Sequence, residues 1–427
     1  MTKQPGVPLR SRILARWRDP AAHILNVDLL AVLIAILLPW STSGVVIAAV
    51  LWLIALLPTL QLRPFLQSLR RPICVLPIAL FALALLGTLW SDAPWAERLH
   101  AVGPASRLLV LPLLLYHFER SQRGLWVFTA FLASCTLLMA ASWLVAFFPA
   151  LSLKSLSRGP FTPANGIVVK NYIDQGQEFA LCIVVLAYPI LAAWRANRTR
   201  LAALLTAAAL GLLANMIFVV ISRTALVTMP VMLAVFALLH LRLRTALAAL
   251  GVAALLGALL WNVSPQLRAT VAKFGSDYQQ TSLQNNESGM GSRLLYWQKS
   301  LKFWAEAPLI GHGTGSIRGL FARAAVGEVG ARAQVVSNPH NQTLNVAVQW
   351  GAVGVVLIYA MWLAHLLLFR GDGLASWIGL MVVVQNIISS LLNSHLFDFH
   401  EGWMYVLGVG VAGGMVLRGR RGEAKPV

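Results

Sequence analysis

Charged residues are scarce in this chain. Of its 427 residues only 11% are charged and 58% are hydrophobic. Soluble domains carry about 25% charged residues, so the composition excludes an ordinary soluble protein and is typical of a polytopic membrane protein. Acidic residues are the rarer sign, and the net charge is +19. The Lys and Arg residues lie in short clusters between apolar runs, which indicates cytoplasmic membrane loops and no nucleic-acid partner.

Cysteine is also scarce, and other common signals are missing. Cys74, Cys135 and Cys182 all fall within apolar runs, which predicts free buried thiols and excludes a disulfide framework. Within the apolar runs, single apolar and polar residues do not alternate as they would in the strands of a closed barrel. A barrel is therefore excluded, and the spans must be helices. The basic N-terminus precedes an apolar run without a small-residue cleavage site, so we expect an uncleaved first span.

Apolar runs of about the length that crosses a bilayer fill most of the chain. They predict an all-α polytopic membrane protein with about twelve transmembrane helices. The predicted spans are 24–40, 43–60, 72–90, 101–117, 124–148, 176–194, 200–220, 224–240, 244–263, 343–368, 374–393 and 403–417.

The polar segments between these runs alternate in charge. Basic clusters follow spans two, four, six, eight and ten and end the chain, whereas the loops after spans one and three are poor in Lys and Arg. The pattern places both termini in the cytoplasm and the long segment 264–342 outside, which in a bacterium is the periplasm. We therefore expect a membrane domain over 1–263 with nine helices, a loop domain over 264–342, and three helices with a cytoplasmic tail over 343–427.

The long loop has helical signals of its own. Ser292 can cap a helix that runs to about Ala305 and ends before Pro308 and Gly311. Residues at i, i+3 and i+4 spacing share one face of that helix, and these are Arg293, Tyr296, Trp297 and Ser300. A second short helix is expected over 318–325.

His340 is the first candidate for chemistry. Asn338 can cap the next helix, Pro339 suits its first position, and His340 then lies in the first turn. A helix N-terminus disfavours imidazolium, so a neutral imidazole able to act as a general base is expected. The alternative is that His340 is an ordinary polar residue at the membrane interface, at the start of a helix. Asn341 follows it directly in the sequence.

Two arginines are the next candidates. Arg223 lies in a tight outward turn, where a charge usually has a partner, or it extends to lipid headgroups. Arg293 lies beside Tyr296 and Trp297, and its guanidinium suits phosphate. Trp297 would stack on a sugar or rest on the bilayer, and an ordinary interfacial helix is the alternative for the whole face.

Further polar residues lie in the outward loops. The glycine run 311–315 would bring backbone N–H groups to a phosphate or merely end a helix; it lacks the Lys-Ser/Thr ending of a P-loop. Lys170, Arg158, Asp174 and Arg107 would meet an anionic ligand or water. The last outward loop contains His395, Asp398, His400 and Glu401. Their spacing could invite a metal, but it matches no compelling metal-ligand pattern, so a structural or substrate-contact role without a metal is favoured.

Taken in order, these motifs resemble the O-antigen ligase and polymerase superfamily of bacterial envelope assembly. The resemblance is carried by an apolar N-terminal half followed by Ser222-Arg223-Thr224, Gly-Ser-Arg-Leu-Leu-Tyr-Trp at 291–297, Pro-Leu-Ile-Gly-His-Gly at 308–313, Pro-His-Asn at 339–341, and Gln349-Trp350-Gly351 with Gly354. The motifs cover about 220–355.

The resemblance implies a metal-independent glycosyltransferase with a GT-C-like membrane fold and no cofactor. It would transfer a glycan from undecaprenyl pyrophosphate to a sugar hydroxyl of the lipid A-core, among membrane lipids of the bacterial inner membrane. The family's functional residues map onto His340, Arg223 and Arg293, and its late acidic residue onto Asp398. Substrate contacts are expected from Tyr296, Trp297, Asn341, Lys170 and Arg158.

Two other classes of function stay open at this point. An O-antigen polymerase or a protein O-oligosaccharyltransferase would use the same donor with a different acceptor. A flippase for lipid-linked oligosaccharides would also suit twelve spans, but transporters place ionisable residues at mid-membrane. The polar residues here cluster at one face, which favours transfer chemistry at the outer surface.

Overall fold

The structure is a computed structural model that describes residues 20–151, 166–285 and 289–423. In these parts the chain is helical and has no strand, which confirms the expected all-α class. The first helices are α1 (Pro20–Leu37), α2 (Thr42–Leu56), α3 (Leu62–Leu69), α4 (Pro72–Leu86), α5 (Trp95–Ser106), α6 (Val110–Phe118), α7 (Gly124–Phe147), α8 (Tyr172–Arg195), α9 (Thr199–Phe218), α10 (Arg223–His240) and α11 (Leu243–Val263).

The long loop and the C-terminal part supply six more helices. They are α12 (Pro265–Gln284), α13 (Gly289–Glu306), α14 (Ile317–Ala324), α15 (Gln342–Leu368), α16 (Leu374–Ser389) and α17 (Phe399–Glu423). Short 3₁₀ turns lie at Leu57–Thr59, Arg107–Leu109, Pro149–Leu151 and Gly330–Ala333.

Every predicted span coincides with a helix, but the number of clear membrane spans is lower than twelve. Within the described residues eight helices are long and apolar enough to cross a membrane, or nine if the pair α3 and α4, bent by 81°, counts as one span. Two further apolar stretches, Ala21–Leu37 within α1 and Leu374–Ser389, which is α16, are shorter than 18 residues. The twelve-span prediction counted such short runs and α17 as full spans.

The helices pack into one bundle in which distant parts of the chain meet. α1 packs against α2 and α7, α8 against α9 and α10, α4 against α15, and α6 against α17. The bundle core includes fully buried large side chains such as Trp52, Phe118, Phe179, Trp350 and Tyr405. The C-terminal helices therefore complete the N-terminal bundle and do not form a separate membrane unit.

The glycine run 311–315 packs against a kink in α15. Gly351 has φ +59° and ψ −155° inside the helix, so nearby carbonyls lose their helical partners. The N–H groups of His312 and Gly313 donate to the carbonyls of Val348 and Gln349 at 2.9 and 2.8 Å. Because its N–H groups are bonded to protein, the run docks the loop onto α15 and is not a phosphate cradle.

The long loop folds into a small helical unit beside α15. Its core contains Tyr296, Phe303, Ile317, Leu320 and Phe321, with Val348 contributed by α15. The predicted short helix at 318–325 is confirmed within one residue. The predicted start of the preceding helix was wrong: α13 begins at Gly289, and Ser292 lies inside its first turn.

Candidate functional site

His340 lies just before α15 and not in its first turn. Asn341 is the N-cap, with its side-chain oxygen accepting from the N–H of Leu344 at 3.1 Å. Asn338, which the sequence predicted as the cap, instead accepts from the N–H of His340 at 2.9 Å. His340 adopts φ +53°, a left-handed conformation that is uncommon outside glycine and found at functional sites. The N-cap lies three residues later than predicted, at Asn341 and not at Asn338, so the expected position of His340 in the first turn was wrong.

The imidazole of His340 belongs to a hydrogen-bonded relay. Its Nδ1 lies 2.6 Å from Oδ1 of Asn393, and Nδ2 of Asn393 donates to Oδ2 of Asp398 at 2.8 Å. An amide oxygen only accepts hydrogen bonds, so Nδ1 of His340 carries the proton. Nε2 is then the basic nitrogen, whose lone pair can accept a proton.

Burial keeps this imidazole neutral. Burial lowers the pKa of His340 below its ordinary value of 6.5, the hydrogen bond to Asn393 works against it, and the positive charge of Arg293 lowers the pKa further. The sequence predicted a neutral imidazole because of a helix N-terminus, whereas in the structure burial favours the neutral form of His340. Burial also raises the pKa of Asp398 to about 7, with Asp174 adding to this effect and Arg107 and Arg293 opposing it.

Arg223 is held by an acid from the long loop. Ser222 caps α10, and Arg223 is the first residue of that helix. Its Nη1 lies 2.7 Å from Oδ2 of Asp277 on α12. The same oxygen accepts from the N–H of Met290 at 3.1 Å, so Asp277 joins Arg223 to the start of α13.

Arg293 shares a cavity with Arg223. Its Nη1 donates to the carbonyl of Leu392 at 2.7 Å. Burial lowers the pKa of Arg293, Tyr172 opposes this, and the charge of Arg223 lowers the pKa further. A guanidinium nevertheless stays charged at neutral pH. Both arginines line a cavity of about 70 Å³ together with Tyr172, Ile173, Thr224, Gly289, Met290 and Leu392.

The three predicted catalytic residues therefore come together from separate segments. Arg293 lies within electrostatic range of both Arg223 and His340. The ring of Tyr296 lies 6.3 Å from that of His340. Two fixed cations that line a small cavity can bind a di-anionic group, and a neutral base close to one of them can accept a proton.

The aromatic residues predicted to contact substrate are largely engaged within the protein. Tyr296 is 7% exposed, and its hydroxyl bonds the side chain of Gln334. The indole N–H of Trp297 donates to the carbonyl of Pro339 at 3.1 Å. Asn341 caps α15 and donates to the carbonyl of Leu391 at 3.0 Å. All three shape the segment that carries His340.

The remaining predicted contacts lie away from the surface or outside the described residues. Lys170 pairs with Glu178 at 3.4 Å, bonds the carbonyl of Leu38, and its side chain is 8% exposed. The guanidinium of Arg107 binds the carbonyls of Phe397, Asp398 and Phe399. Arg158 lies outside the described residues.

Sequence reasoning missed Asn393, Asp277 and Tyr172. Asn393 ends an apolar run and lies 53 residues beyond His340 in the sequence. Only the contact between the two side chains in the structure shows its role. Asp277 offered a weak signal, because it is the single aspartate of the loop 264–342 and an acid is a natural partner for the predicted Arg223. Tyr172 adjoins Asn171, which caps α8 with its side chain.

Comparison with protein families places part of the chain. No curated protein matches the chain. Residues 208–359 match the family model described as O-antigen ligase, a segment that includes Arg223, Arg293 and His340 and ends within α15. This match confirms, over that segment, the resemblance to the O-antigen ligase and polymerase superfamily.

Proposed function

We propose that the protein is an O-antigen ligase. It would transfer O-antigen polysaccharide from undecaprenyl pyrophosphate to a hydroxyl of the lipid A-core oligosaccharide. The observation that carries the proposal is the relay from Asp398 through Asn393 to His340, next to a cavity lined by Arg223 and Arg293. A base beside two phosphate-binding cations suits transfer from a pyrophosphate donor to a hydroxyl acceptor.

His340 acts on the acceptor. As the acceptor oxygen attacks the anomeric carbon, its proton passes to Nε2 of His340. The new glycosidic bond forms while the bond between the anomeric carbon and the pyrophosphate oxygen breaks. A single displacement of this kind inverts the anomeric configuration. A positioned base of this type contributes about 100- to 10,000-fold to the rate.

Arg223 and Arg293 act on the donor. The leaving pyrophosphate gains negative charge as its bond to the sugar breaks, and fixed guanidinium groups stabilise that charge in the transition state. Asp277 orients Arg223, and the carbonyl of Leu392 orients Arg293. Positions fixed before the donor binds lower the cost of reorganisation during the reaction.

The pyrophosphate is activated by two arginines in this scheme, so no metal is needed at the reacting atoms. The chain contains no Asp-x-Asp pair, the arrangement with which many glycosyltransferases bind a metal at the donor phosphates. The site would face the periplasm of a bacterial inner membrane, with both termini in the cytoplasm. Donor and acceptor lipids would enter between the helices.

The nearest alternative keeps the donor and changes the acceptor. An O-antigen polymerase would extend another lipid-linked glycan, and a protein O-oligosaccharyltransferase would use Ser or Thr. A flippase is less favoured, because Arg223 and Arg293 line one small cavity beside the long loop and the charge of Arg293 acts on His340.

Reconstitution separates these possibilities. Purified protein in liposomes is mixed with glycan on undecaprenyl pyrophosphate and with lipid A-core, and the products are separated on a gel. A glycan-bearing lipid A-core band supports the ligase. Longer lipid-linked glycans formed without lipid A-core would identify a polymerase, and glycan on an added acceptor protein would identify the oligosaccharyltransferase. Donor that crosses the bilayer without any transfer would support a flippase.

A further inference from the structure

The segment between α16 and α17 contains a buried histidine that has no hydrogen-bond partner in the described part of the chain. His395 is 0% exposed, and neither Nδ1 nor Nε2 has a partner among the described residues. Oε1 of Glu401, a residue that is 6% exposed, likewise has none. Leaving such groups buried without a partner is costly, so groups of this kind normally face a ligand or ordered water.

These side chains point toward a common centre. One ligand atom from each of His395, Asp398 and Glu401 lies within 4.8 Å of the others. Nε2 of His395 is 3.9 Å from Oε1 of Glu401, which is too long for a hydrogen bond. Metal–ligand distances of about 2.0–2.4 Å place two ligand atoms about 3–4.8 Å apart, so all three atoms can reach one ion.

The surrounding charges leave two carboxylates unbalanced. In the described part of the chain neither Asp398 nor Glu401 forms an ion pair with Lys or Arg. The nearby Lys170 pairs with Glu178, and His400 pairs with Asp174 at 2.7 Å. The guanidiniums of Arg107 and Arg293 are bonded to backbone carbonyls. A dication would neutralise the two remaining acids.

We propose that His395, Asp398 and Glu401 bind one divalent first-row transition metal ion of the zinc or manganese type. Imidazole disfavours Ca²⁺ and Mg²⁺ as the resident ion, and two carboxylates disfavour Cu(I). The site adjoins the proposed reacting centre through Asp398, which also ends the relay to His340, but His340 itself is not one of its ligands. The ion has a structural role, and the transfer chemistry stays free of metal.

The position of the ion gives it a defined task. Asp398 accepts from Asn393, which in turn bonds His340. Glu401 lies in the first turn of α17, so an ion shared by Asp398 and Glu401 fixes the loop before α17 to that helix. It thereby holds the partner of His340 in place.

Metal content tests the proposal without reference to activity. The full chain, purified in detergent without chelator, is analysed by mass spectrometry of the elements. We expect about one transition-metal ion per chain, and a loss of at least about tenfold in His395→Ala and in Glu401→Gln. The matched control is His400→Ala, a neighbouring buried histidine outside the three-residue cluster, which should keep its metal.

A second measurement guards against variants that fail to fold. Wild-type protein is incubated with Co²⁺, and the visible absorption of bound cobalt is recorded. Bands that appear in the wild type and in His400→Ala but not in Glu401→Gln support the site. Wild-type protein with less than about a tenth of an ion per chain, and no cobalt bands, would overturn it and leave water as the occupant. Transfer activity in such metal-free protein would leave the proposed ligase function standing.

Discussion

Oδ1 of Asn393 lies 2.6 Å from Nδ1 of His340. This contact joins the segment after α16 to the segment before α15 and decides which imidazole nitrogen is basic. Because Asn393 also donates to Asp398 at 2.8 Å, its amide is oriented with the oxygen toward the histidine. The relay accounts for a base at Nε2 without any help from a helix N-terminus.

Replacing the amide of Asn393 should therefore slow the chemical step. Asn393→Leu keeps the approximate size of the side chain but lets the imidazole adopt either tautomer. We expect kcat to fall about 10- to 100-fold with little change in KM for the acceptor. Steady-state kinetics in liposomes measure both constants. A loss confined to KM, with kcat at the wild-type value, would contradict the positioning role.

The pH dependence should report the neutral histidine. Burial lowers the pKa of His340 below 6.5, so the base is unprotonated at neutral pH. The value of kcat/KM should fall on the acid side only below pH 6.5. Arg293→Gln removes a positive charge that opposes protonation, so the acid limb of its residual activity should move to higher pH. Arg293→Lys keeps the charge, and its acid limb should stay near that of the wild type. Equal acid limbs in all three proteins would argue against His340 as the titrating base.

The pair Arg223 and Asp277 should behave as a unit. Asp277→Asn weakens the contact of 2.7 Å that holds the guanidinium. We expect kcat/KM for the donor to fall about tenfold, because a charge-assisted hydrogen bond is worth about 1.5–3 kcal/mol. In a double-mutant cycle, Asp277→Asn should cost little once Arg223 has been replaced by Gln. Full additivity of the two losses would show that Asp277 acts independently.

The kink in α15 should be sensitive to a single methyl group. Gly351 has φ +59°, and a Cβ built there would lie 2.3 Å from the backbone of Leu309. Gly351→Ala should lower the free energy of unfolding by about 2 kcal/mol or more. Thermal unfolding in detergent measures the effect. Gly103→Ala is the control, since a Cβ there meets no atom within 4 Å. Equal unfolding temperatures for both variants would contradict the strained kink.

The helices could be predicted because apolar runs and basic loops are local features of the sequence. Two kinds of structural detail could not be predicted from the sequence. The first is the 81° bend between α3 and α4 and the kink at Gly351, where the N–H groups of Ala352 and Val353 donate to the carbonyls of Pro308 and Leu309 in the long loop. The second is the N-cap of α15, which the sequence predicted at Asn338 and the structure places at Asn341. Both residues are asparagines close to the start of the apolar run, so either one fits a cap.

The site was predictable only where short motifs mark it. Arg223, Arg293 and His340 stand in recognisable sequence patterns, and the structure places them around one region. Asn393 and Asp277 have no such pattern, and their roles follow from contacts across 53 and 54 residues. Tyr296 was predicted to contact substrate from its helical face, but that face packs into the core of the loop unit.

The most direct test of the account is the transfer rate of His340→Ala under single-turnover conditions with donor and lipid A-core. His312→Ala is a matched control, since its Nε2 lies 2.7 Å from the carbonyl of Phe303 and it is outside the relay. We predict a fall of about 100- to 10,000-fold in His340→Ala, with wild-type thermal unfolding, and near-normal transfer in His312→Ala. Transfer by His340→Ala within about threefold of the wild type would contradict the central role of His340 as the base.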